Sequence, residues 1–407
     1  MARLFPPRPD NVSAARLLSH GRGPISFLTY GLTGGGSTKS MVAVAEGLSA
    51  LGAEVDFVVL STEGRSVSTV ANHVNLVDLG VSKTYSGILP LISYLRRRRP
   101  KALVSAGESV NLVAVTACKL SGSGTRSVVT VRNSPTELPS QRRGLFRRNM
   151  HHVSRWAYPK ADAVVAVSRG IANELRSSVG LEQDEIDVIY NPVVGPDLGR
   201  LATQPLDDPW FDADAPPVIM GVGRLHPQKD FPTLIRAFAL VRTKMPCRLM
   251  ILGEGDERDR LTDLARSLCV SDHVRLPGYV KNPFAYLARA RLFVLSSRFE
   301  GLPGALIQAL ACGCPVVSTD CPSGPREILD DGFYGPLVKV GEVENLADAM
   351  MAQLDAPAVS SALIERANEF GFDKSVRAYD ALLHRVILND RGPLAYSTIV
   401  DDRHVAS

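Results

Sequence analysis

The segment RFEGLPGALIQALACGCPVV (residues 298–317) places two long polar side chains in an otherwise apolar stretch. Glu300 stands in a turn that contains Gly and Pro, and Gln308 follows eight residues later. Pro303 suits the first position of a helix, because its missing N–H would find no intrahelical acceptor there. The pattern predicts a helix from about Gly304 to Cys312, with a carboxylate before it and an amide about one turn inside it.

The start of this predicted helix is a suitable place for an anion. The N–H groups of Gly304, Ala305 and Leu306 would carry the positive end of the helix dipole, and small residues there allow close approach. A ligand with a phosphate in its middle could then reach Glu300 at one end and Gln308 at the other, and a nucleotide-sugar has that shape. The alternative is that Glu300 only stabilises the helix start and Gln308 faces solvent, since acids at helix starts are common for stability alone.

Strands and helices alternate along most of the chain, which predicts an α/β fold with parallel sheets covered on both faces. The segment LFVLSS (292–297) reads as a strand, so the loop that contains Glu300 follows its carboxyl end. A first group of apolar segments reads as strands at 24–32, 54–61, 101–107, 126–133, 161–168 and 184–192. A second group follows at 216–223, 247–255, 273–280, 290–297, 315–320 and 336–340.

The length of 407 residues suits two domains better than one. A segment rich in Pro, Asp and Gly at about 196–217 separates the two groups of strands and reads as a linker. The expected division is a first domain at 1–200, a linker at 201–216, a second domain at 217–372 and a returning C-terminal helix at 373–407. Two doubly wound domains would place the carboxyl ends of both sheets around a shared cleft, where ligands of open parallel sheets bind.

Composition indicates a soluble globular protein, with 45% hydrophobic and 22% charged residues. The longest apolar runs have the length of strands, so no segment is expected to span a bilayer. The N-terminal residues lack the apolar core of a signal peptide. The six cysteines show no metal-binding spacing and suit a reducing cytosol, and the expected location is cytoplasmic.

Basic residues are concentrated in the first half of the chain. Residues 1–205 hold 24 Lys and Arg against 15 Asp and Glu, whereas residues 206–407 hold 22 against 27. The excess clusters at 96–101 (RRRRPK) and at 141–160, where aromatic and aliphatic residues are interleaved. Such a surface could bind phosphates or lie on an anionic membrane at its inner face, or it could simply be a solvated basic helix.

Several further segments resemble glycosyltransferase family 4, retaining enzymes of the GT-B architecture that include bacterial enzymes of cell-surface polysaccharide synthesis. GGGSTKSMVAVAEGLSALGAEV resembles the first Gly-rich loop and helix of the family, and ADAVVAVSRGIANEL and VIYNPV resemble the end of its first domain. In the order and spacing of the family follow GVGRLHPQKDFPTLIRAFALV, LMILGEGDERDRL, VRLPGYVKNP and SRFEGLPGALIQALACGCPVVSTDCPSGPREIL. The resemblance covers nearly the whole chain and implies two Rossmann-like domains facing a cleft, with C-terminal helices crossing back.

The resemblance implies roles for residues of the second domain. Arg224 and Lys229 would grip the diphosphate of a nucleotide-sugar donor, and two fixed cations suit a leaving group that gains charge. Glu300 would bind hydroxyls of the donor sugar and face the positive charge developing at its anomeric carbon. Further donor-binding positions would be Tyr279, Val280, Asn282, Gly301, Gly304, Ala305, Leu306 and Gln308.

In the first domain the same resemblance places Gly35, Gly36 and Lys39 near the donor diphosphate. Arg132 and Asn133, in the segment VRNSP, would contact the acceptor or the sugar. The family has a second acid at the position of Gln308. An amide oxygen still accepts a hydrogen bond from a ribose hydroxyl, so nucleotide binding is expected to survive the change.

The implied reaction is a retaining transfer that needs no metal and no other cofactor. The acceptor hydroxyl would attack the face that the diphosphate leaves, and the diphosphate would take its proton. A metal-dependent transferase of the other architecture would want an Asp-x-Asp triplet directly after a strand. The triplet Asp212-Ala213-Asp214 lies instead in the predicted linker.

Donor, acceptor and alternatives remain open at this point. A UDP-sugar carrying a hexose or N-acetylhexosamine is preferred, because CPSGPREIL resembles members that use such donors, and GDP-mannose stays open. The basic first half suggests an acceptor glycan on a lipid diphosphate, and no nucleic acid is expected as a partner. Other interpretations are an ATPase, whose loop would need Lys directly after Gly36, a silent GT-B subunit, and a GT-B epimerase.

Overall fold

The computed structural model describes residues 23–32, 36–62, 70–134, 150–356 and 360–389. These residues form two compact units. The first unit contains the described residues up to Val167, Ile171–Pro192 and those from Phe372 onward, and the second contains Ser168–Gly170 and Val193–Gly371. The chain therefore passes from one unit to the other at Pro192 and returns at Phe372.

The first unit is built on a seven-stranded parallel sheet of order β3-β2-β1-β4-β5-β6-β7. Its strands are β1 (Ile25–Thr29), β2 (Val55–Val59), β3 (Asn75–Asp78), β4 (Ala102–Ala106), β5 (Arg126–Val131), β6 (Ala163–Ala166) and β7 (Ile186–Val188). In the central register Phe27 lies beside Phe57 on one side and Val104 on the other. The strand β3 was not predicted, because this short edge strand is half exposed and lacks an apolar run.

Helices cover both faces of this sheet. They are α1 (Gly36–Ala50), α2 (Ile88–Arg98), α3 (Glu108–Ser121), α4 (Met150–Ala157), α5 (Arg169–Val179) and the final helix, numbered α14 (Phe372–Leu388). On one face Met41 and Leu48 of α1 form a core with Val376 and Leu383 of α14. On the other face α2 and α3 pack over Leu28 in a separate core. Burial on both faces explains why these strands are apolar throughout.

The second unit is built on a six-stranded parallel sheet of order β10-β9-β8-β11-β12-β13. The strands are β8 (Val218–Val222), β9 (Arg248–Leu252), β10 (Val274–Gly278), β11 (Leu292–Leu295), β12 (Val316–Thr319) and β13 (Leu337–Val338). The helices are α6 (Leu198–Ala202), α7 (Phe231–Arg242), α8 (Arg258–Ser267), α9 (Phe284–Leu287), α10 (Gly304–Ala311), α11 (Pro325–Ile328), α12 (Val343–Asp355) and α13 (Ser360–Ala367). Both sheets thus have the parallel, helix-covered α/β architecture that the sequence predicts.

The segment expected to be a linker belongs to the second unit. Trp210 is buried and holds the guanidinium carbon of Arg275 4.2 Å from its ring centre. The amide of Asn282 donates to the carbonyl of Leu201 at 2.9 Å. The many Pro and Asp residues here form turns and helix caps on the surface of the second unit. A surface segment of this composition cannot be told from a linker by its sequence.

Within the described residues no helix has both the length and the apolar character needed to cross a membrane. All six cysteines fall within the described part of the chain, and each is a free thiol.

Candidate functional site

In each sheet there is one pair of neighbouring strands whose following connections lead to opposite sides of the sheet, so that the strand order reverses between them. In the second unit this topological switch point lies between β8 and β11, which pair directly. Loops that leave the carboxyl ends of such a strand pair diverge and leave room for a ligand. The loop after β8 carries Arg224 and Lys229, and the loop after β11 carries Glu300. The fold therefore brings together two segments that are about seventy residues apart in the chain.

Lys229 and Glu300 form an ion pair at this switch point. The Lys229 Nζ lies 2.5 Å from Glu300 Oε1, and the two side chains are only 17% and 8% exposed. Lys229 ends a short 3₁₀ turn (Pro227–Lys229), and its methylene chain passes over Gly223. A buried charge is costly without a partner, so each of these residues requires the other in the ligand-free protein.

Serine hydroxyls and one amide fix the two loops to each other. Ser297 Oγ donates to Glu300 Oε1 at 2.6 Å, and Ser296 Oγ donates to the carbonyl of Lys229 at 2.8 Å. The amide of Gln228 donates to the carbonyl of Phe299 at 3.0 Å. None of these three residues was predicted from the sequence. The available signal was the pair of serines that directly follows the apolar strand β11.

Cys321 is a further neighbour of the ion pair that the sequence did not single out. Burial raises the pKa of the Cys321 thiol, and the nearby negative charge of Glu300 acts in the same direction. The thiol is therefore protonated at neutral pH and contributes packing.

Arg224 is exposed at the start of the same loop after β8. Its side chain is exposed, and among the described residues no carboxylate lies within ion-pairing distance of it. The backbone around it is fixed, because Gly223 N donates to Leu252 O and Leu225 N donates to Glu254 O. Gly253 has a φ of +145°, and a Cβ there would lie 1.8 Å from the carbonyl oxygen of Gly223. Glycine in the GEG segment thus lets the loop that carries Arg224 pack directly on β9.

Helix α10 begins beside Glu300, although its first turn differs from the prediction. Pro303 is the N-cap with ψ of 97°, and Gly304 is the first helical residue. The N–H of Leu306 donates to the carbonyl of Pro303 at 3.1 Å. It is therefore not available to an anion, although the sequence predicted that it would be. The N–H groups of Gly304 and Ala305 remain at a half-exposed helix start, and Gly301 is buried just before it. Gln308 lies one turn further on and is half-buried.

The turn before α10 is held by a second loop. Gly324 has a φ of +91°, and a Cβ there would lie 2.5 Å from Pro303 Cδ. The backbone N–H of Glu300 donates to the carbonyl of Pro322 at 3.3 Å. The segment CPSGP after β12 therefore supports the backbone on both sides of the carboxylate.

The segment GYVKNP carries three of the predicted donor-binding positions, and the structure places them in three different surroundings. Tyr279 is 70% exposed and Val280 is half-buried. The side chain of Asn282 is already used inside the unit, because its amide donates to Leu201 O and to Gln204 Oε1 at 2.9 Å each. Its carbonyl accepts from Phe284 N at the start of α9. These contacts give Asn282 a structural part, and its predicted donor contact stays a prediction.

The predicted site residues of the first unit belong to the segment around the start of α1 and to the segment that follows β5. Gly35 lies outside the described residues, Gly36 begins α1, and Lys39 is exposed on its first turn. Arg132 is 8% exposed and turned inward, with its Nη1 2.6 Å from Asn191 Oδ1. Burial lowers the pKa of this guanidinium. Asn133 beside it is exposed, and the acceptor contacts proposed for this pair remain untested.

The first unit has its own switch point, between β1 and β4, and a pocket of about 330 Å³ lies there. The pocket is open at the carboxyl ends of these strands and at the starts of α1 and α3. Glu108 is the one charged residue among the described residues that line it. Six lining residues carry hydroxyl groups: Thr29, Tyr30, Ser37, Thr38, Thr84 and Ser109. The sequence analysis did not find this pocket, because its residues are common types in unrelated loops.

No group of three or more His, Cys, Asp or Glu side chains within the described part of the chain is placed to hold a metal ion. Asp212 and Asp214 are exposed in the loop before the amino end of β8, whereas Glu300 follows the carboxyl end of β11.

Comparison with known proteins identifies the family. Two family models match, one described as Glycosyltransferase Family 4 over residues 34–194 and one described as Glycosyl transferases group 1 over residues 206–370. The chain is 32% identical over 274 residues to N-acetylgalactosamine-N,N'-diacetylbacillosaminyl-diphospho-undecaprenol 4-alpha-N-acetylgalactosaminyltransferase of Campylobacter jejuni, with 67% of this chain and 72% of that protein aligned. It is 35% identical over 243 residues to the lipopolysaccharide core biosynthesis glycosyltransferase LpsE of Rhizobium meliloti, with 58% and 67% aligned.

Solved structures support the fold independently. The lipopolysaccharide outer core galactosyltransferase WaaB superposes with a TM-score of 0.69 at 20% identity, covering 90% of this chain and 99% of that one. Anabaena HepE in complex with UDP and glucose superposes with a TM-score of 0.73 at 18% identity, covering 89% and 100%. With two GT-B-type sheets, matching family models and relatives of this similarity, the chain belongs to glycosyltransferase family 4 and is a glycosyltransferase.

Proposed function

We propose that this protein is a retaining, metal-independent glycosyltransferase that moves a hexose or N-acetylhexosamine from a UDP-sugar to a hydroxyl of a lipid-linked glycan. The observation that carries the proposal is the buried Lys229–Glu300 ion pair beside the start of α10. The ion pair and the helix start together provide a cation, a carboxylate and the N–H groups of Gly304 and Ala305 at one switch point of a parallel sheet.

The cations would hold the diphosphate of the donor. Arg224 is exposed on a rigid loop, and Lys229 carries three hydrogen-bond donors on a flexible chain. When the sugar bond breaks, the leaving diphosphate gains negative charge, and fixed cations stabilise that charge more than they stabilise the bound donor. The N–H groups of Gly304 and Ala305 would add the positive end of a helix dipole.

Glu300 would act on the sugar side. Its carboxylate would accept hydrogen bonds from sugar hydroxyls and face the positive charge that develops at the anomeric carbon. In the proposed step the bond from that carbon to the diphosphate oxygen breaks, and the acceptor oxygen bonds to the same face. The acceptor proton passes to the departing diphosphate, so the step balances without a metal or a further co-reactant.

The nucleoside would lie along α10 and the loop after β10. Gln308 is half-buried one turn into the helix, and its amide oxygen can accept a hydrogen bond from a ribose hydroxyl. Tyr279 and Val280 would contact the base. The solved complex of HepE with UDP and glucose supports a uracil nucleotide for a protein of this fold.

The acceptor is proposed to be a glycan carried on a lipid diphosphate, in the synthesis of a cell-surface polysaccharide. The Campylobacter relative is named for a diphospho-undecaprenol acceptor, and LpsE is named for lipopolysaccharide core biosynthesis. The hydroxyl-lined pocket of the first unit is the candidate place for the acceptor sugar, because hydroxyls and a carboxylate form hydrogen bonds to sugar hydroxyls.

A panel of nucleotide-sugars tests the donor and the chemistry together. UDP-glucose, UDP-galactose, UDP-N-acetylglucosamine, UDP-N-acetylgalactosamine and GDP-mannose are added singly, and both the melting temperature and the release of nucleoside diphosphate are measured. A donor at a hundred times its dissociation constant stabilises the protein by about 2.7 kcal/mol. We expect a UDP-sugar to give the largest shift and slow hydrolysis that persists in EDTA. Loss of hydrolysis in EDTA with recovery on adding Mg²⁺ would contradict metal independence.

A non-catalytic subunit that binds a nucleotide-sugar is the second candidate, and Gln308 in place of an acid is the observation that favours it. The same panel separates the two. A thermal shift without any hydrolysis or transfer from any donor would support the silent subunit.

Attachment to an anionic membrane at the inner face of the cell membrane is proposed for the basic surface of the first unit. Arg96, Arg97 and Arg99 are exposed at the end of α2, while residues 141–149 lie outside the described residues. Trp156 is 60% exposed, with Lys160 Nζ 3.0 Å from its ring centre. Each Lys or Arg at such a surface contributes about 1 kcal/mol toward anionic lipid.

Sedimentation with liposomes tests this attachment. We expect binding to phosphatidylglycerol vesicles at low salt, loss of binding at high salt, and no binding to phosphatidylcholine vesicles. A variant with Arg142, Arg143, Arg147 and Arg148 all replaced by Ala should bind more weakly. Equal binding of the variant and the original protein would remove this segment from the interface.

A further inference from the structure

Both partners of Glu300 bind the same carboxylate oxygen. Lys229 Nζ lies 2.5 Å from Oε1, and Ser297 Oγ lies 2.6 Å from the same atom. The second oxygen, Oε2, takes part in neither contact. One side of the carboxylate is therefore fixed to the protein, and the other is left to a ligand.

The two partners differ in how firmly they are held. Ser297 is fully buried, and its carbonyl accepts a hydrogen bond of 2.6 Å from Thr319 Oγ1, which is itself buried on β12. Its hydroxyl sits one bond from Cβ, so with a fixed backbone it can leave Glu300 only by rotation about the single χ1 torsion of a fully buried side chain. Lys229 reaches Glu300 through four methylene groups and is partly exposed, so its ammonium can turn toward another anion.

We propose that Ser297 is a positioning residue that holds the Glu300 carboxylate in place while Lys229 turns toward the donor diphosphate. The inference rests on the proposed function, because it assumes that a diphosphate competes with Glu300 for Lys229. A diphosphate carries more negative charge than one carboxylate, so it draws the ammonium away at the moment when Glu300 must face the sugar. A neutral hydroxyl is not drawn away in this manner.

The two serines at the end of β11 then have separate tasks. Ser296 fixes the backbone of Lys229 through its carbonyl, whereas Ser297 fixes the side chain of Glu300. Loss of Ser297 would leave Glu300 with Lys229 as its partner in the free protein and with less support in the donor complex. We therefore expect the loss of Ser297 to lower turnover more than it lowers nucleotide affinity.

Ser297→Ala is the test, with Ser318→Ala as its matched control. Ser318 is a fully buried serine on the adjacent strand, and its hydroxyl donates to the carbonyl of Thr319 at 2.9 Å. Removing either hydroxyl should lower the melting temperature by a similar amount. Donor hydrolysis and transfer are measured at saturating donor, with the best donor of the panel, and UDP affinity is measured by calorimetry.

We expect Ser297→Ala to lower kcat roughly ten- to a hundredfold, the range for a hydrogen bond to a charged group. The dissociation constant for UDP should stay within about twofold, and Ser318→Ala should keep the original kcat. In a Glu300→Gln background Ser297→Ala should change kcat less than about twofold, because the carboxylate it positions is gone.

The outcomes separate the inference from the proposed function. If the original protein hydrolyses a donor and Ser297→Ala matches Ser318→Ala, the positioning role is wrong while the glycosyltransferase proposal stands. The same holds if Ser297→Ala costs an equal factor with and without Glu300. If the original protein hydrolyses and transfers from no donor of the panel, the proposed function fails and the positioning role fails with it.

Discussion

The two switch points of this protein have the same topology and different chemistry. In the second unit the loops after β8 and β11 meet in a buried ion pair with an exposed arginine nearby. In the first unit the loops after β1 and β4 form a pocket of hydroxyl groups around a single carboxylate among its described lining. Strand order alone decides that a site can form at each place, since both pairs of strands diverge there.

The difference shows that the residue types directly after the strands set the ligand. Cations and N–H groups at a helix start suit a phosphate, which is charged and compact. Hydroxyls around one carboxylate would suit a neutral polyol, because the carboxylate opposes a second negative charge. We therefore expect changes at the two switch points to affect different steps of the reaction.

Glu300→Gln should produce the largest loss. The substitution keeps the shape of the side chain but removes the charge that faces the anomeric carbon, and loss of such a contact typically costs 10²–10³ in kcat. UDP affinity should be nearly kept, because Lys229 is then free to bind the diphosphate. Steady-state hydrolysis and UDP calorimetry provide the measurement.

Asp208→Asn is the matched control for Glu300→Gln, since Asp208 pairs with Arg275 at 3.1 Å in the same unit and away from the switch point. Unchanged turnover in Glu300→Gln would exclude Glu300 from the mechanism.

Arg224→Ala should weaken UDP binding roughly ten- to a hundredfold, because a charge-assisted hydrogen bond contributes about 1.5–3 kcal/mol. The melting temperature without ligand should hardly change, since the side chain is exposed. Arg236→Ala, on the exposed side of α7, is the control for a lost surface charge. Equal UDP affinity in both variants would show that the diphosphate lies elsewhere.

Asn282→Ala tests whether the donor site of the second unit includes Asn282. We expect it to lower the free energy of unfolding of the second unit by about 1–3 kcal/mol, since it removes the hydrogen bonds of the side chain with the carbonyl of Leu201 and the N–H of Phe284. UDP affinity should change less than about twofold, and thermal unfolding with calorimetry tests both statements. Lys281→Ala, at the exposed neighbour, should alter neither quantity. A large loss of UDP affinity at normal stability would return Asn282 to the donor site.

Glu108→Gln is the corresponding test of the first switch point. It should lower transfer to a sugar acceptor about tenfold, as expected for one hydrogen bond to a charged group. Donor hydrolysis and UDP affinity should change little, because Arg224, Lys229 and Glu300 lie in the other unit. Asp184→Asn, an exposed acid of the same unit, serves as the control. A fall in UDP affinity instead would mean that the pocket takes part of the donor.

The smallest effect is expected at Asp56, a buried carboxylate on β2 of the first sheet. Burial, the largest influence on Asp56, raises its pKa, but hydrogen bonds from Arg98, Tyr94 and Asn75 together bring the pKa below its usual value. A depressed carboxyl pKa stabilises the folded state above the unfolded pKa, and this contribution is lost as the pH falls through the folded value. The free energy of unfolding should therefore decrease below about pH 4.

Asp56→Asn should make the unfolding of the first unit less sensitive to acid, which melting curves between neutral pH and pH 3 would show. Transfer activity at neutral pH should follow the fraction folded. An unchanged acid profile would mean that other carboxyl groups dominate the acid unfolding of this unit.

Much of the fold was predictable because strands buried on both faces are apolar throughout. The strand segments around Phe27, Val104, Met220 and Val294 were identified for this reason, and the half-exposed edge strand β3 was missed for the same reason. The segment around Trp210 was read as a linker, because turns rich in Pro and Asp look alike whether they join domains or cover one. Glu300 is predicted from its place before a helix start and Lys229 from a resemblance, and no pattern in the sequence links the two.

The sequence by itself determined the alternation of strands and helices and placed charged residues after particular strands. These are local properties, set by hydrophobic periodicity and by the turn residues that follow each strand. The tertiary structure decided which loops meet. Pairing of β8 with β11 brings Lys229 Nζ to 2.5 Å from Glu300 Oε1 across 71 residues of sequence. Contacts of this kind depend on strand order, which no short segment encodes.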